Sequence, residues 1–209
     1  MNLKSKYLII ILAVIIIKIN FSINVKAKEY NRFNNISIEN GLSQATVETM
    51  MQDSKGYIWL GTNDGLDRYN GYTFKKYSYE KGQENSLVNS YILDIKEDSE
   101  GNIWVATAAG ISKIYNDGEK VQNYTSDSES GNLYNDNTTT ILISNSNKIY
   151  VGTAEGINLY DKKTDKFNLI YPELKEEYVN SLAEDKYGNI WAGTENGLYK
   201  INVDTNVIE

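Results

Sequence analysis

Histidine and cysteine are both absent from this chain of 209 residues. A Ser-His-Asp or Cys-His catalytic arrangement therefore cannot form, zinc sites built on those ligands are excluded, and no disulfide holds the fold together. Proline occurs once, at Pro172, so it interrupts β-strands nowhere else. The only arginines are Arg32 and Arg68, the formal net charge is −7, and no basic stripe is present. We therefore expect no nucleic-acid partner.

The start of the chain has the composition of an export signal. Two lysines precede an apolar run of 11 residues, from Tyr7 to Ile17, which is shorter than the about 20 residues that a membrane-spanning helix needs. Lys18 ends this run, and Val25-Lys-Ala27 places small residues at both recognition positions of a signal peptidase. We predict a signal peptide over residues 1–27, cleaved after Ala27. The alternative is an uncleaved anchor in which Lys18 reaches the membrane surface.

One short string of residues occurs four times in the rest of the chain. Its first copy reads Gly56-Tyr-Ile-Trp-Leu-Gly-Thr-Asn-Asp-Gly65, and each copy combines an aromatic residue, a small residue followed by threonine, and a turn glycine. The aromatic residue recurs in steps of 45, 46 and 41 residues, at Trp59, Trp104, Tyr150 and Trp191. A period of this size is typical of modular repeat folds.

Each period contains four segments with the character of short β-strands. Around the first copy, Ile58-Trp-Leu-Gly-Thr62 is rich in aromatic and branched residues, and Gly65 suits the turn after it. Asp53-Ser-Lys-Gly56 suits a tight hairpin turn, and further apolar segments precede and follow. No apolar period of about 3.6 residues is present, so helical solenoids are excluded. We predict an all-β chain: a β-propeller of about four four-stranded antiparallel blades, forming a partial, open ring after the signal sequence.

The repeat also predicts which residues are structural. We place the blades at residues 42–77, 87–124, 133–171 and 178–209, with the four repeated aromatic residues filling the space between neighbouring blades. Asp53, Asp98 and Asp185 recur at equivalent turns, so we expect them to cap those turns and not to catalyse. The third copy differs, with Ser144 in place of the aspartate and Asn147 in place of the glycine.

The last blade is predicted to be incomplete. Alignment of the copies places Ile208 at the position of Phe167, so the fourth strand of blade four is almost missing. The segment from Tyr30 to Ile38 has the position of a strand that closes the last blade of a ring. We nevertheless expect an open arc whose ends do not meet. Its terminal faces would expose apolar surface and unpaired strand edges, which favour self-association.

Strand order predicts where a ligand would bind. In an up-and-down sheet, the loops between blades and the tips between second and third strands lie on one face, and variable loops on a rigid scaffold are where recognition usually resides. Exposed tyrosine, asparagine and acidic groups suit a carbohydrate, although each alone could be an ordinary polar loop residue. The candidate ligand-binding residues are Asn63, Asp64, Arg68, Asn89, Tyr91, Asp136, Asn137, Glu155, Asn180 and Glu195.

The repeated string D-x-x-G-x-[IL]-W-x-G-T-x-x-G-[LI] resembles the two-component regulator propeller repeat, and the resemblance covers about residues 30–209. It implies an extracytoplasmic sensor domain of a hybrid two-component system, a sensor histidine kinase or a diguanylate cyclase, whose effector domain is missing from this chain. The alternatives are a propeller enzyme, such as a polysaccharide lyase or sialidase, and a scaffold for protein partners. We expect no catalytic residues, no metal and no cofactor. Membrane contact would come only through the leader or a missing C-terminal segment.

Overall fold

The computed structural model describes residues 34–127 and 132–209. All described strands lie within one compact unit, residues 36–209. The predicted signal peptide lies outside the described residues, as do the first four residues, 30–33, of the candidate closing strand. Of that strand, residues 34–37 have no regular structure, and Ile38 begins a short 3₁₀ helix, Ile38–Asn40. No helix within the described ranges is long and apolar enough to cross a membrane.

The described residues form four antiparallel four-stranded sheets, and the strands of each sheet follow chain order. This arrangement confirms the predicted partial β-propeller, with one sheet per blade. Sheet 1 contains β1 (Val47–Gln52), β2 (Ile58–Thr62), β3 (Gly65–Tyr69) and β4 (Phe74–Tyr77). Sheet 2 contains β5 (Ile92–Glu97), β6 (Ile103–Thr107), β7 (Gly110–Ile114) and β8 (Val121–Tyr124). Sheet 3 contains β9 (Thr138–Ile143), β10 (Ile149–Thr153), β11 (Ile157–Asp161) and β12 (Lys166–Ile170). Sheet 4 contains β13 (Val179–Glu184), β14 (Ile190–Thr194), β15 (Gly197–Asn202) and β16 (Val207–Ile208).

Glycine is required at the tip between the second and third strands of a sheet. Gly65 has φ of 122°, and a Cβ there would lie 2.7 Å from the Tyr77 carbonyl oxygen of the neighbouring strand. The positive φ and the close strand together exclude a larger residue. The tip can therefore be tight, which keeps the second and third strands in register.

The four sheets follow one another around a common axis. Their first strands are neighbours, β1 beside β5, β5 beside β9 and β9 beside β13, so these strands are innermost. Facing sheets are joined by apolar cores, in which the predicted aromatic residues Trp59, Trp104 and Tyr150 are 2%, 0% and 3% exposed. Trp191 is only half-buried, in contrast to the core role predicted for it. The reason is that no described sheet covers its face of sheet 4.

The last strand of sheet 4 is short, as the alignment of the copies predicts. Strand β16 has two residues, and Ile208 pairs with Ile201 as Phe167 pairs with Tyr160 in sheet 3. The alignment of Phe167 with Ile208 is therefore confirmed.

Candidate functional site

The aspartate before each hairpin turn caps that turn, as predicted. The Asp53 carboxylate accepts the backbone N–H groups of Lys55 at 3.0 Å and Tyr57 at 2.8 Å, and also the indole N–H of Trp59 at 2.7 Å. Asp98 and Asp185 make the equivalent bonds in sheets 2 and 4. These carboxylates are used by the fold, which leaves them unsuited to acid–base chemistry. The bond to the indole was not predicted, although the recurring interval of six residues between Asp and Trp was visible in the sequence.

The irregular third copy keeps its turn by other contacts. The Ser144 hydroxyl accepts the Lys148 N–H at 3.1 Å, and Tyr150 has no indole N–H that needs an acceptor. Asn147 adopts φ of 57°, which asparagine tolerates, and its side chain accepts the Ser99 N–H of sheet 2 at 3.1 Å. In this copy Ile143 stands where the second and fourth copies have glutamate, so Asn147 supplies the missing acceptor.

The glutamates at this position link neighbouring sheets by hydrogen bonds. They lie at the end of the propeller that carries the turns between first and second strands, which we call the hairpin-turn end. The Glu97 carboxylate of sheet 2 accepts the Ser54 N–H of sheet 1 at 2.7 Å, and Glu184 of sheet 4 accepts the Asn145 N–H of sheet 3 at 2.7 Å. This end of the propeller is thus fixed by hydrogen bonds between blades. The opposite end carries the candidate ligand-binding residues other than Arg68.

A threonine fixes the tip between the second and third strands of each sheet. In sheet 1 the Thr62 hydroxyl donates to the Gly65 carbonyl at 2.8 Å and accepts the Asp64 N–H at 3.1 Å. Thr107, Thr153 and Thr194 make the same pair of bonds. With the backbone held in this way, the tip side chains need make no structural contact. Those of Asn63, Asp64, Glu155 and Glu195 are exposed.

The loops before the first strands lie against these tips. The Asn137 carbonyl accepts the Ala154 N–H at 2.9 Å, which brings Asn137 beside the tip that holds Glu155. The Tyr91 carbonyl accepts the Ala108 N–H at 3.1 Å in the same way. Asn180 is the residue at the bulge of β13, and its side chain is exposed. We use the name loop surface for seven exposed candidates: Asn63, Asp64, Tyr91, Asn137, Glu155, Asn180 and Glu195.

The other three candidates have structural contacts. The Asn89 side chain accepts the Tyr91 N–H at 2.8 Å, and the Asp136 carboxylate accepts the backbone N–H of Ser126 at 2.6 Å and its hydroxyl at 2.9 Å. Both side chains shape their own loops. The placement of Arg68 on the ligand face is wrong, because Arg68 lies near the far end of β3. Its guanidinium carbon is 4.7 Å from the Tyr57 ring centre, at the hairpin-turn end.

Glu177 organises the fourth tip and was not predicted. Its carboxylate accepts the hydroxyl of Thr194 at 2.9 Å, the amide of Asn196 at 3.1 Å and the hydroxyl of Tyr199 at 3.1 Å. The bond from Thr194 contributes most to a lowered pKa of Glu177. Its position, two residues before the first strand, is that of Asp136 in the previous blade, and this equivalence was the available signal.

A second missed feature is a buried leucine that anchors each loop. It stands 17 residues before the repeated aromatic residue in every copy, a regularity that the sequence contains. The four residues are 1% to 3% exposed: Leu42, Leu87, Leu133 and Leu174. The loops that carry the candidate residues are therefore held by apolar packing as well as by hydrogen bonds.

The loop surface can bind by hydrogen bonding. Its amides donate and accept, its carboxylates accept, and the Tyr91 ring is 42% exposed and available for stacking. No group of three or more His, Cys, Asp or Glu side chains suited to a metal ion lies within residues 34–127 and 132–209.

Comparison with a family profile agrees with the repeat pattern. The profile described as "Two component regulator propeller" matches residues 41–64, 86–109 and 173–196, which are the first, second and fourth copies. Each match begins beside the buried leucine and ends at the tip. The chain therefore carries two-component regulator propeller repeats, and the predicted resemblance is confirmed.

A curated relative is "Histidine kinase P4" of Formosa agariphila. It is 37% identical to this chain over 67 residues, which are 32% of this chain and 5% of the kinase. The chain therefore corresponds to a small part of this relative.

Solved structures share the fold. The extracellular domain of a putative hybrid two-component system from B. thetaiotaomicron has a TM-score of 0.64 at 22% identity, covering 84% of this chain and 31% of that one. Virginiamycin B lyase from Staphylococcus aureus has a TM-score of 0.62 at 17% identity, covering 81% of this chain and 56% of the lyase. At such identities the likeness shows the propeller fold alone.

Proposed function

We propose, from the two-component regulator propeller repeats that the chain carries, that it is an extracytoplasmic ligand-binding module of a bacterial signal-transduction receptor. The observation that carries this proposal is the match of three of its four blades to that repeat. The extracellular domains of hybrid two-component systems among its structural neighbours support an extracytoplasmic location. The predicted signal peptide agrees with export.

The effector of this receptor belongs to the remainder of a longer protein. The 67 residues that match the kinase relative are 5% of that protein, and the part of the chain that matches the solved sensor domain is 31% of that domain, so both are much larger than this chain. A histidine kinase or diguanylate cyclase domain is the kind of effector that the resemblance implies. The chain itself would supply recognition and not the signalling reaction.

Ligand binding is assigned to the loop surface. Its side chains come from all four blades, and their backbone is held by the tip threonines, the loop hydrogen bonds and the buried leucines. A ligand that contacts several blades would pass its binding energy to a scaffold whose other end is tied sheet to sheet. Hydroxyl-rich compounds match the amides, carboxylates and exposed tyrosine best, so a carbohydrate is the proposed ligand class.

A catalytic propeller is the second candidate, supported by the likeness in fold to virginiamycin B lyase. Two features weigh against it in this chain. Histidine is absent, and the recurring turn aspartates use their carboxylates for backbone and indole hydrogen bonds. We therefore propose a non-catalytic module.

The test is binding of a panel of oligosaccharides, with turnover monitored in the same samples. Tyr91→Ala should weaken binding about tenfold, since about 1.4 kcal/mol of lost stacking and contact corresponds to that factor. Tyr72→Ala is the matched control, because Tyr72 is 90% exposed on the turn between the third and fourth strands, at the other end of sheet 1. Binding that no loop-surface variant changes would refute this location. Conversion of an oligosaccharide to product would favour the enzyme.

A further inference from the structure

The space between sheets 3 and 4 contains a cavity of about 380 Å³. We call it the wedge cavity, and the residues that matter for its chemistry are Tyr150, Leu159, Ile170, Tyr171, Val203 and Asn206. The corresponding space between sheets 2 and 3 holds only about 160 Å³, beside Trp104 and Lys113. Successive blades are built from the same repeat. Sheets 1 and 2 therefore serve as internal controls, because they show which side chains fill the space between two sheets when that space serves packing alone.

The first difference lies opposite the aromatic residue. Arg68 pairs with Trp59 across strands β2 and β3, Lys113 pairs with Trp104 across β6 and β7, and each cation lies over its ring, at 5.6 Å and 5.0 Å. In sheet 3 the pair is Tyr150 and Leu159. Tyr150 and Leu159 are both smaller than the residues at the same positions of sheets 1 and 2, so they leave space between the sheets.

The second difference lies on the outer strand. Tyr77 pairs with Leu66 in sheet 1 and Tyr124 pairs with Ile111 in sheet 2, whereas the equivalent residue in sheet 3 is Ile170. The aromatic side chain that the outer strand supplies in sheets 1 and 2 is therefore missing from sheet 3. Three positions of sheet 3 therefore carry smaller side chains than their equivalents in sheets 1 and 2, which leaves space beside the cavity.

The tyrosine hydroxyl groups between the sheets also differ in their hydrogen bonding. The Tyr77 hydroxyl donates to the Gly118 carbonyl at 3.1 Å, and the Tyr124 hydroxyl donates to Asp165 at 2.7 Å. The Tyr150 side chain is 3% exposed, yet its hydroxyl makes no hydrogen bond to any residue in the described parts of the chain. Burial, with smaller contributions from Tyr171 and Glu184, raises the pKa of Tyr150 to about 12, so the group keeps its proton. The hydroxyl is not fully enclosed, since Tyr150 lines the cavity, so an acceptor inside the cavity can reach it.

Tyr171 adds a second polar group on the cavity wall. Its backbone has φ of 56° and ψ of 70°, a left-handed conformation that is costly for a bulky residue, and Pro172 follows it. Its hydroxyl also lacks a hydrogen-bond partner among the described residues. Residues held in such a conformation concentrate at binding sites.

The charges at the rim do not favour an ion. Lys148 and Glu173 both line the cavity, both are exposed, and their charges are opposite. The remaining polar groups are two phenols and the Asn206 amide, all uncharged. Apolar walls from Leu159, Ile170 and Val203 complete the lining.

We propose that the wedge cavity is a binding site for an uncharged ring compound that carries a carbonyl oxygen. The ring would pack against Leu159, Ile170 and Val203, and the carbonyl would accept a hydrogen bond from the Tyr150 hydroxyl. The site lies between two sheets and shares no residue with the loop surface, so it can be tested whether or not the loop surface binds a carbohydrate.

The experiment is a saturation-transfer NMR titration of the 209-residue chain with benzamide and, separately, with toluene, which has the ring but no acceptor. Benzamide should bind saturably, and Tyr150→Phe should weaken it about three- to tenfold, the range expected for one hydrogen bond. The same variant should leave toluene binding unchanged. Tyr124→Phe, which removes a hydroxyl from the neighbouring wedge, should leave both titrations unchanged.

A filled cavity provides the decisive variant. Ile170→Tyr restores the residue that the first two copies have, and it should abolish binding of both probes while the thermal midpoint of unfolding is retained. If Ile170→Tyr does not fold, Leu159→Lys restores the other repeat position and should give the same loss. Benzamide binding that persists in a folded cavity-filling variant would overturn the proposal. Absence of saturable benzamide binding to the unmodified chain would do the same.

Discussion

The Trp59 indole N–H donates to the Asp53 carboxylate at 2.7 Å, across a hairpin turn and within the core between two sheets. The same bond joins Trp104 to Asp98 at 2.8 Å and Trp191 to Asp185 at 3.1 Å. In the third copy both partners are replaced, by Tyr150 and Ser144. The turn aspartate and the tryptophan are therefore replaced together, as expected when a buried indole N–H must have an acceptor.

A double-mutant cycle at Asp98 and Trp104 should show strong coupling. Asp98→Ser leaves the buried indole N–H without its acceptor and should cost about 2 to 3 kcal/mol of unfolding free energy. Trp104→Tyr should also destabilise, through lost packing. The double variant reproduces the combination of the third copy, and its loss should be smaller than the sum by about 1 kcal/mol. Urea denaturation measures all three, and strictly additive losses would contradict the coupling.

Asp185 should make the fold sensitive to acid. Hydrogen bonds to its carboxylate, first from the Asn189 side chain and then from Trp191, hold its pKa well below the ordinary value. Because the folded-state pKa is depressed, this stability is present above the unfolded pKa of about 4 and is lost as pH falls below that value. Asp185→Asn should flatten the acid side of the stability curve, measured by urea denaturation between about pH 2 and 6. An unchanged slope would exclude this role.

Tyr124 should produce the opposite dependence at alkaline pH. Burial, followed by the hydrogen bond to Asp165, raises the pKa of the Tyr124 phenol far above its usual value. A raised folded-state pKa gives stability that is complete below the unfolded pKa of about 10 and decreases above it. Tyr124→Phe should cost about 1 kcal/mol at neutral pH and lose less stability between about pH 9 and 11. Tyr72→Phe, on an exposed turn, is the control and should match the unmodified chain.

The fold could be predicted from sequence because every blade repeats the same local signals. The aromatic residue, the turn aspartate and the tip glycine each have a cause within about ten residues, and four copies confirm one another. Sheet order and the short β16 then follow from the spacing alone. The half-buried state of Trp191 did not follow, because its burial depends on a neighbouring sheet and not on its own repeat.

The candidate site was predicted less well, for a physical reason. Strand order correctly assigns a residue such as Glu155 to one end of the propeller, but it cannot distinguish a free side chain from one that caps its own loop. Asn89 and Asp136 belong to the second kind. Arg68 was misplaced because it lies on a strand, three residues beyond the tip glycine, where the chain has already crossed toward the other end.

Export should produce a mature chain that begins at Lys28. The basic start, the apolar run of 11 residues and the small residues at positions 25 and 27 are the features that a signal peptidase requires. N-terminal sequencing of protein released by a bacterial host would show Lys28 as the first residue. Ala27→Lys should block cleavage and retain the chain at the membrane. Released protein that begins at Met1 would support neither cleavage nor this site.

Residues 28–209 should self-associate through the outer faces of sheets 1 and 4. Leu198 is 64% exposed, although its equivalent in sheet 1, Leu66, is 0% exposed. Met50 is 72% exposed, whereas its equivalent in sheet 2, Ile95, is 1% exposed. The equivalents of Leu198 are buried in sheets 1 to 3, and those of Met50 are buried in sheets 2 and 3 and half-buried in sheet 4. The two outer faces are therefore the unmatched halves of the same contact. Sheet 4 of one copy should therefore pack on sheet 1 of another, which is a head-to-tail association.

Sedimentation velocity distinguishes this geometry from its alternatives. Met50→Lys and Leu198→Lys should each be monomeric alone, and a mixture of the two should form dimers, because one intact face remains on each partner. Tyr72→Lys, at a position 90% exposed on a turn, should associate like the unmodified protein. If Leu198→Lys alone abolished association while Met50→Lys had no effect, sheet 4 would be packing on sheet 4. A monomeric unmodified chain at about 100 μM would contradict association through these faces altogether, since contacts of standard size hold at or below that concentration.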